Sequence, residues 1–243
     1  MNIVIIGGNR GVGFEIVKNC LQKGYQVALA CKEQDVSFSS EMRDKVLIRS
    51  FNLKDISKCF EFIDEVISVW KKIDGVVFYA GITPISSLTD CSEDLFDEIF
   101  NINLKSTFFI AQRVIKNMME HGGGSFVFFG SSHMESGQID RAAYAISKGS
   151  LKILSEHLAK RYAKFQIRSN IIVMGWTPTE GELELRATLG VSKEELITQA
   201  SEYVPMGRMM NVNDPIPAVM YFLSHESSMV TGSTIRVNGG EYI

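Results

Sequence analysis

The sequence is short of the features that mark several large classes of protein. No apolar run approaches the length of a membrane span. Excess charge of either sign is missing: the formal net charge is −3, and the basic residues are scattered. That argues against a polyanionic partner and against nucleic acid. Cysteine is scarce. Cys20, Cys31, Cys59 and Cys91 show neither close pairing nor metal-ligand spacing, so they read as reduced, structural thiols of a cytoplasmic protein with no metal site. The first residues, MNIVIIGG, contain no basic segment and no long apolar stretch, so a first β-strand is expected there rather than a signal peptide. Repeats, low-complexity tracts and linkers are absent too.

What is present is an ordinary globular balance: 243 residues, 45% hydrophobic and 22% charged. One α/β domain over residues 1–243 suits that length. Short apolar runs at residues 3–6, 27–30, 46–48, 76–78, 126–129, 171–173 and 235–237 alternate with long amphipathic segments. Such runs fit strands buried on both faces of a parallel sheet. Ile56, Phe60, Ile63, Ile67 and Trp70 follow helical spacing, as do Leu95, Ile99, Phe108, Val114, Ile115 and Met118. A third helix is expected over about residues 142–162, with Leu151, Leu154 and Leu158. The alternation predicts a doubly wound, parallel, seven-stranded sheet with helices on both faces.

About 40 residues between the strand ending near Val173 and a helix near Pro215 exceed a plain connection. Residues 183–189 and 193–203 look helical and charged. Ligands bind beyond the carboxyl ends of strands in such sheets, so a lid over about residues 177–205 is expected. Glu180, Glu182, Glu184, Glu194 and Glu195 crowd this stretch and read first as a solvated face. Met134, Met174, Met206, Met209 and Met210 serve equally as pocket lining or as core filler.

The first strand runs into Gly7, Gly8, Asn9, Arg10, Gly11, Val12 and Gly13, and then into a helix. A glycine-rich turn at a helix N-terminus lets main-chain N–H groups approach a pyrophosphate, and the helix dipole favours the anion. The GxxxGxG spacing alone also fits a tight structural turn; its place after the first strand gives it weight.

Tyr144 and Lys148 stand four apart in a helical segment and so share a face. An ordinary tyrosine, at roughly pKa 10, is a poor acid or base near neutrality. A neighbouring ammonium favours the phenolate and brings it into range. Ser131, 13 residues earlier, can hold a substrate oxygen in place. His133 is a candidate for the same pocket, read first as a polar wall residue.

With these features together, the sequence resembles the short-chain dehydrogenase/reductase family along essentially its whole length. The branch of 3-oxoacyl-carrier-protein reductases, carbonyl reductases and sugar-alcohol dehydrogenases is the most similar in style. Tyr144 and Lys148 match the family's Tyr-x-x-x-Lys, Ser131 its catalytic serine, and Asn103 its catalytic asparagine. Pro205, Met206, Gly207 and Arg208, and Thr231-Gly232 through Gly239-Gly240, match its C-terminal pattern. The resemblance implies a Rossmann fold and a single nicotinamide site. It also implies hydride transfer between a ketone and a secondary alcohol, with Asn103 binding a water that continues a proton relay from Lys148. Two alternatives stand beside that expectation, a sugar or polyol dehydrogenase and a catalytically quiet NADP-binding sensor or scaffold. Expected cofactor contacts are Gly7, Asn9, Arg10, Gly11, Val12, Gly13, Lys32, Asn52, Leu53, Ala80, Gly81, Tyr144, Lys148, Gly175, Thr177 and Thr179. Thr179 would bond the nicotinamide carboxamide.

The chain departs from the family at several points. Ile6 stands where a threonine is usual, Phe78-Tyr79 replace Asn-Asn before Ala80-Gly81, Asn52 replaces an aspartate, and Met174-Gly175 replace Pro-Gly. At the end of the second strand, Cys31 takes the place of the acid that NAD-specific sites use for the ribose 2′-hydroxyl, and Lys32 follows it. With Arg10 nearby, NADP(H) is expected in preference to NAD(H), softened by Glu33 and Asp35. The segments at residues 94–119 and 142–162 are apolar over more than one face, so a homotetramer or homodimer is expected, since closed symmetric assembly is the common rule.

Overall fold

The computed structural model describes residues 1–33, 38–137, 140–178, 183 and 186–241. Strand β1 (Asn2–Ile6) is followed by α1 (Gly11–Gln22), β2 (Gln26–Cys31), the short α2 (Ser40–Arg43), β3 (Val46–Ser50), α3 (Ile56–Trp70) and β4 (Gly75–Phe78). The second half runs through α4 (Glu93–Phe100), a π-helical stretch (Asn101–Lys105), α5 (Ser106–Glu120), β5 (Gly124–Ser131), α6 (His133–Ser136), α7 (Ala142–Tyr162) and β6 (Ile167–Met174). Helices α8 (Lys193–Tyr203) and α9 (Ile216–Leu223) precede β7 (Thr234–Val237). The strands form one parallel sheet in the order β3-β2-β1-β4-β5-β6-β7. Each of the seven apolar runs lies within a strand, and β5 and β6 extend further because main-chain pairing continues through polar Ser125 and Asn170. Among the described residues no helix is long and apolar enough to cross a membrane.

Two apolar layers flank the sheet. One joins Val4, Ile6, Phe78, Phe126 and Phe128 to α3, α5 and α7. The other joins Ile3, Ile5, Val77, Val127 and Phe129 to α1 and α9. Phe78 stacks on Phe128 with ring centroids 4.9 Å apart, and Phe126 lies 6.2 Å from each of them. Aromatic packing therefore fills this part of the sheet's face. Truncating any of these rings to alanine costs about 3–5 kcal/mol by the usual core cost.

Helix α3 spans Ile56 to Trp70, as the helical spacing predicts. Its most buried side is Cys59, Phe62, Ile63 and Val66, while Ile56, Phe60, Ile67 and Trp70 flank it. The neighbour α5 explains the offset: Phe109 meets the Phe60 ring edge-on at 6.3 Å, and the Arg113 guanidinium lies 5.7 Å from its centroid.

The apolar segment from Leu95 to Met118 is continuous helix through α4 and α5, with the π-helical stretch between them. Widening the turn frees carbonyl groups. The Ser106 hydroxyl donates to the Ile102 oxygen (2.7 Å) and the Thr107 hydroxyl to that of Asn103 (3.2 Å). Such bulges recur at functional sites, and this one carries Asn103, which is fully buried.

Helix α8 has a capping box between Ser192 and Glu195. Its Leu196 and Ala200 pack with Met209, Trp176, Leu183 and Val191 in a small core of their own.

Candidate functional site

The ends of β1, β4, β5 and β6 lie along one edge of the sheet, as their registers require: Ile6 is opposite Phe78, Phe78 opposite Phe128, and Ser131 opposite Met174. A cleft of about 1150 Å³ opens there. At one end it is lined by Lys32, Glu33, Asn52 and Leu53. The middle is lined by Gly7, Asn9, Arg10, Gly11, Ala80 and Gly81. The far end holds Ser131, His133, Tyr144, Lys148, Gly175, Trp176, Thr177 and residues of α8.

The glycine turn is shaped by close main-chain approach. Gly7 has φ +84°, and a Cβ there would lie 2.7 Å from the Ala80 main chain. A Cβ on Gly13 would lie 2.6 Å from Gly8 Cα. The result is a tightly packed turn at the start of α1 whose glycines add no side chain to the cleft, which suits a phosphate group. Val12 turns its side chain into the core, leaving only its main chain for the cradle.

Three elements and the turn after β4 bring the reacting groups together. Tyr144 and Lys148 stand one turn apart on α7, Ser131 ends β5, and Asn103 sits in the π-helical stretch. The Lys148 ammonium is buried and donates to the Phe129 main-chain oxygen at 3.1 Å. Burial draws its pKa down to about 8. Asn103 accepts from the Ile82 N–H (2.8 Å) and donates to the Ile82 oxygen and the Ser147 hydroxyl, each at 3.0 Å. Gly81 lies between the two: a Cβ there would be 3.1 Å from Lys148 Nζ and 3.2 Å from Asn103 Oδ1. The Ser131 oxygen accepts from the His133 main-chain N–H at 3.3 Å, and His133 Nδ1 lies 3.2 Å away. The His133 ring meets Tyr144 edge-on at 5.8 Å.

The other expected residues fall as follows. Asn52 accepts from the Lys54 N–H at 3.0 Å. The Gly175 N–H points at Met210 Sδ at 3.2 Å, and the Thr177 hydroxyl donates to the Gly175 oxygen at 3.2 Å. Thr179, together with Asp35, Glu180, Glu182 and Glu184, lies outside the described residues.

Sequence reasoning misses several cleft residues. Arg141, three before Tyr144, is buried and donates to the Thr83 hydroxyl at 2.7 Å. Buried Glu241 accepts from the Trp176 N–H at 3.0 Å. From α8 come Gln199, Glu202 and Tyr203, and Arg186 lies over the Trp176 ring at 5.4 Å. Only the proximity of Arg141 to Tyr144 offers a signal in the sequence; the rest are brought in by tertiary packing. Among the described residues no group of His, Cys, Asp and Glu is placed to hold a metal ion.

A family model described as enoyl-(acyl carrier protein) reductase matches residues 6–241. The chain is similar to an uncharacterized oxidoreductase of Thermotoga maritima, with 28% identity covering 98% of this chain and 96% of that protein. It is similar to a 3-oxoacyl-[acyl-carrier-protein] reductase of Chlamydia muridarum, with 29% identity covering 98% of this chain and 95% of that one. In fold it is similar to a substituted form of actinorhodin polyketide ketoreductase, solved with NADPH, at a TM-score of 0.93, 22% identity, and coverage of 99% and 97% of the two chains.

Proposed function

From the premise that this chain belongs to the short-chain dehydrogenase/reductase family, we propose that it transfers a hydride between NADP(H) and a ketone or secondary alcohol, with Tyr144 as general acid and base. The observation that carries this reading is the convergence of Tyr144, Lys148, Ser131 and Asn103, from separate elements, beside one glycine-rich cradle. When bound, the nicotinamide supplies or accepts the hydride.

Tyr144 gives the proton to the developing alkoxide, or takes it from the alcohol in the reverse direction. Lys148 in its ammonium form favours the phenolate and brings the tyrosine towards the working range. It also holds the nicotinamide ribose hydroxyls. The Ser131 hydroxyl fixes the substrate oxygen, and Asn103 holds the water that passes protons on from Lys148. Arg10 and Lys32 hold the 2′-phosphate, while Gly7 to Gly13, Asn52, Leu53, Ala80, Gly81, Gly175 and Thr177 shape the rest of the cofactor site. The substrate is a small carbonyl compound entering past α8. Residues 177–205 work as its lid, because Gln199, Glu202 and Tyr203 line the cleft.

The quiet-sensor reading is disfavoured because a sensor has no need of a proton relay. Free thiols at Cys20, Cys31 and Cys59 fit work in the reducing cytoplasm. We further assign a homotetramer. Phe96 and Phe108 on one long helical segment, and Ile146 and Ile153 on α7, are 41–66% exposed in the single chain and offer apolar faces to symmetry mates. Light scattering after size exclusion tests this, and a monomer at micromolar concentration removes it.

The enzymatic reading is tested by NADPH consumption over a panel of ketones, aldehydes and ketosugars, with NADP+ reduction on the matching alcohols. Turnover of simple ketones is the expected result, and turnover confined to sugars favours the polyol dehydrogenase. Binding of NADPH with no turnover of any member of the panel favours the sensor.

A further inference from the structure

Tyr79 stands at the end of β4, beside the phosphate cradle. Strand alternation sends Phe78 into one core layer and Tyr79 to the other, towards α1. Its ring meets Phe129 edge-on at 5.1 Å. A Cβ on Gly13 would come within 2.9 Å of its Cδ1, so the ring is wedged under the first turn of α1. This wedge fixes where the hydroxyl goes. It belongs to the wall of the cleft and is close enough to Tyr144 and Arg10 to feel the charge of both. Among the described residues the hydroxyl has no hydrogen-bond partner. The residue is partly buried and lines the cleft, where its hydroxyl is free to donate to a ligand acceptor that the folded chain does not supply. Burial, followed by the neighbouring Tyr144, pushes its pKa up to about 12, so it stays protonated and able to donate.

We propose that Tyr79 is a cofactor-binding residue whose hydroxyl donates to the pyrophosphate of the dinucleotide. This rests on the nicotinamide-dinucleotide reading above. The pyrophosphate is chosen over the nicotinamide because the ring is pinned against Gly13, in the turn whose N–H groups face the phosphates. In this way the chain replaces a flexible amide of its relatives' pattern with a rigid donor. The same ring supports the helix end that cradles the anion.

The test uses Tyr79→Phe, which keeps the ring, its contact with Phe129 and its wedge against Gly13. Wild type and variant are titrated by calorimetry with NADPH, with 2′-phospho-ADP-ribose, which lacks the nicotinamide, and with adenosine 2′-monophosphate, which lacks the pyrophosphate. A hydrogen bond to a charged group predicts about a tenfold loss of affinity for the first two ligands. Affinity for the third is expected to be unchanged, as is the melting temperature without ligand. Three results overturn the proposal: unchanged NADPH affinity, a loss confined to NADPH, or an equal loss for all three ligands. If the wild-type protein binds no nicotinamide dinucleotide, the proposed function falls as well, and that outcome is read before the variant is compared.

Discussion

The ammonium of Lys148 donates to the main-chain oxygen of Phe129 at 3.1 Å, inside a site that draws its pKa from 10.5 down to about 8 by burial. Below that pH both folded and unfolded chains carry the charge, and the folded state bears the whole cost of burying it. Between about 8 and 10.5 the unfolded chain binds a proton that the folded one does not, so this group makes stability rise with pH across the window. Lys148→Met is therefore expected to be more stable than wild type at pH 7 by roughly 3 kcal/mol. The difference should shrink towards zero by about pH 10.5. Urea unfolding of both proteins along a pH series checks this, and comparison within the pair cancels the other titrating groups. An offset independent of pH would show that the lysine does not titrate in this window.

Tyr144→Phe is expected to abolish measurable turnover and to change NADPH affinity by no more than about twofold. The variant keeps the ring that His133 meets at 5.8 Å and loses the hydroxyl that carries the proton. Steady-state rates and a fluorescence titration separate the two effects. Wild-type turnover in the variant would remove the tyrosine from the mechanism.

Ser131→Ala is expected to lower kcat by about a hundredfold, the usual loss when one donor to a developing oxyanion is removed. The serine oxygen already accepts from the His133 N–H, which leaves its hydroxyl hydrogen available to donate. His133→Phe keeps that main-chain donor and removes the ring nitrogen at 3.2 Å from the serine, so a loss nearer fivefold is expected, as for about 1 kcal/mol. A larger loss in His133→Phe than in Ser131→Ala would reverse the order of importance assigned here.

The sheet is legible in the sequence because its strands are buried on both faces and therefore read as unbroken apolar runs, with Ile3 to Ile6 and Phe126 to Phe129 the clearest. Tyr144 and Lys148 are legible because helical spacing alone puts residues four apart on one face. The buried side of α3 is not, because hydropathy does not distinguish Phe60 from Phe62; only the position of α5 does. Arg141 and Glu241 stay hidden for a related reason. A charged residue reads as surface until the structure supplies Thr83 for the one and the Trp176 main chain for the other. The π-helical turn at Asn103 leaves no trace in the pattern, because the side chains buried there and just after it, Asn103, Ser106 and Thr107, are polar and hydropathy reads them as surface.

Cofactor choice is decided at the adenosine end of the cleft. Lys32 is exposed and lines that end with Cys31 and Glu33, and Arg10, also exposed, stands in the glycine turn next to it. Among the described residues neither cation is engaged in an ion pair. Cys31 is buried, with its thiol donating to the Glu33 main-chain oxygen at 3.1 Å, and burial raises its pKa, so it brings no charge. The Glu33 carboxylate is the one local feature among the described residues that opposes a 2′-phosphate, and two cations outweigh it. NADPH is therefore expected to bind more tightly than NADH. A charge-assisted bond to a phosphate contributes about 1.5–3 kcal/mol, so Arg10→Ala and Lys32→Ala should each cost about tenfold or more in NADPH affinity. Neither change should move NADH affinity appreciably, since NADH has a neutral hydroxyl where NADPH has the phosphate. Because the interaction is solvent-exposed, the NADPH preference should also weaken as salt rises from about 0.05 to 0.5 M. Calorimetric titration of the three proteins with both cofactors, at two salt concentrations, reads all of these effects. Tighter NADH binding by the wild type would reverse the assignment, and equal losses for NADPH and NADH in the variants would show that these side chains shape the cleft rather than recognise the phosphate.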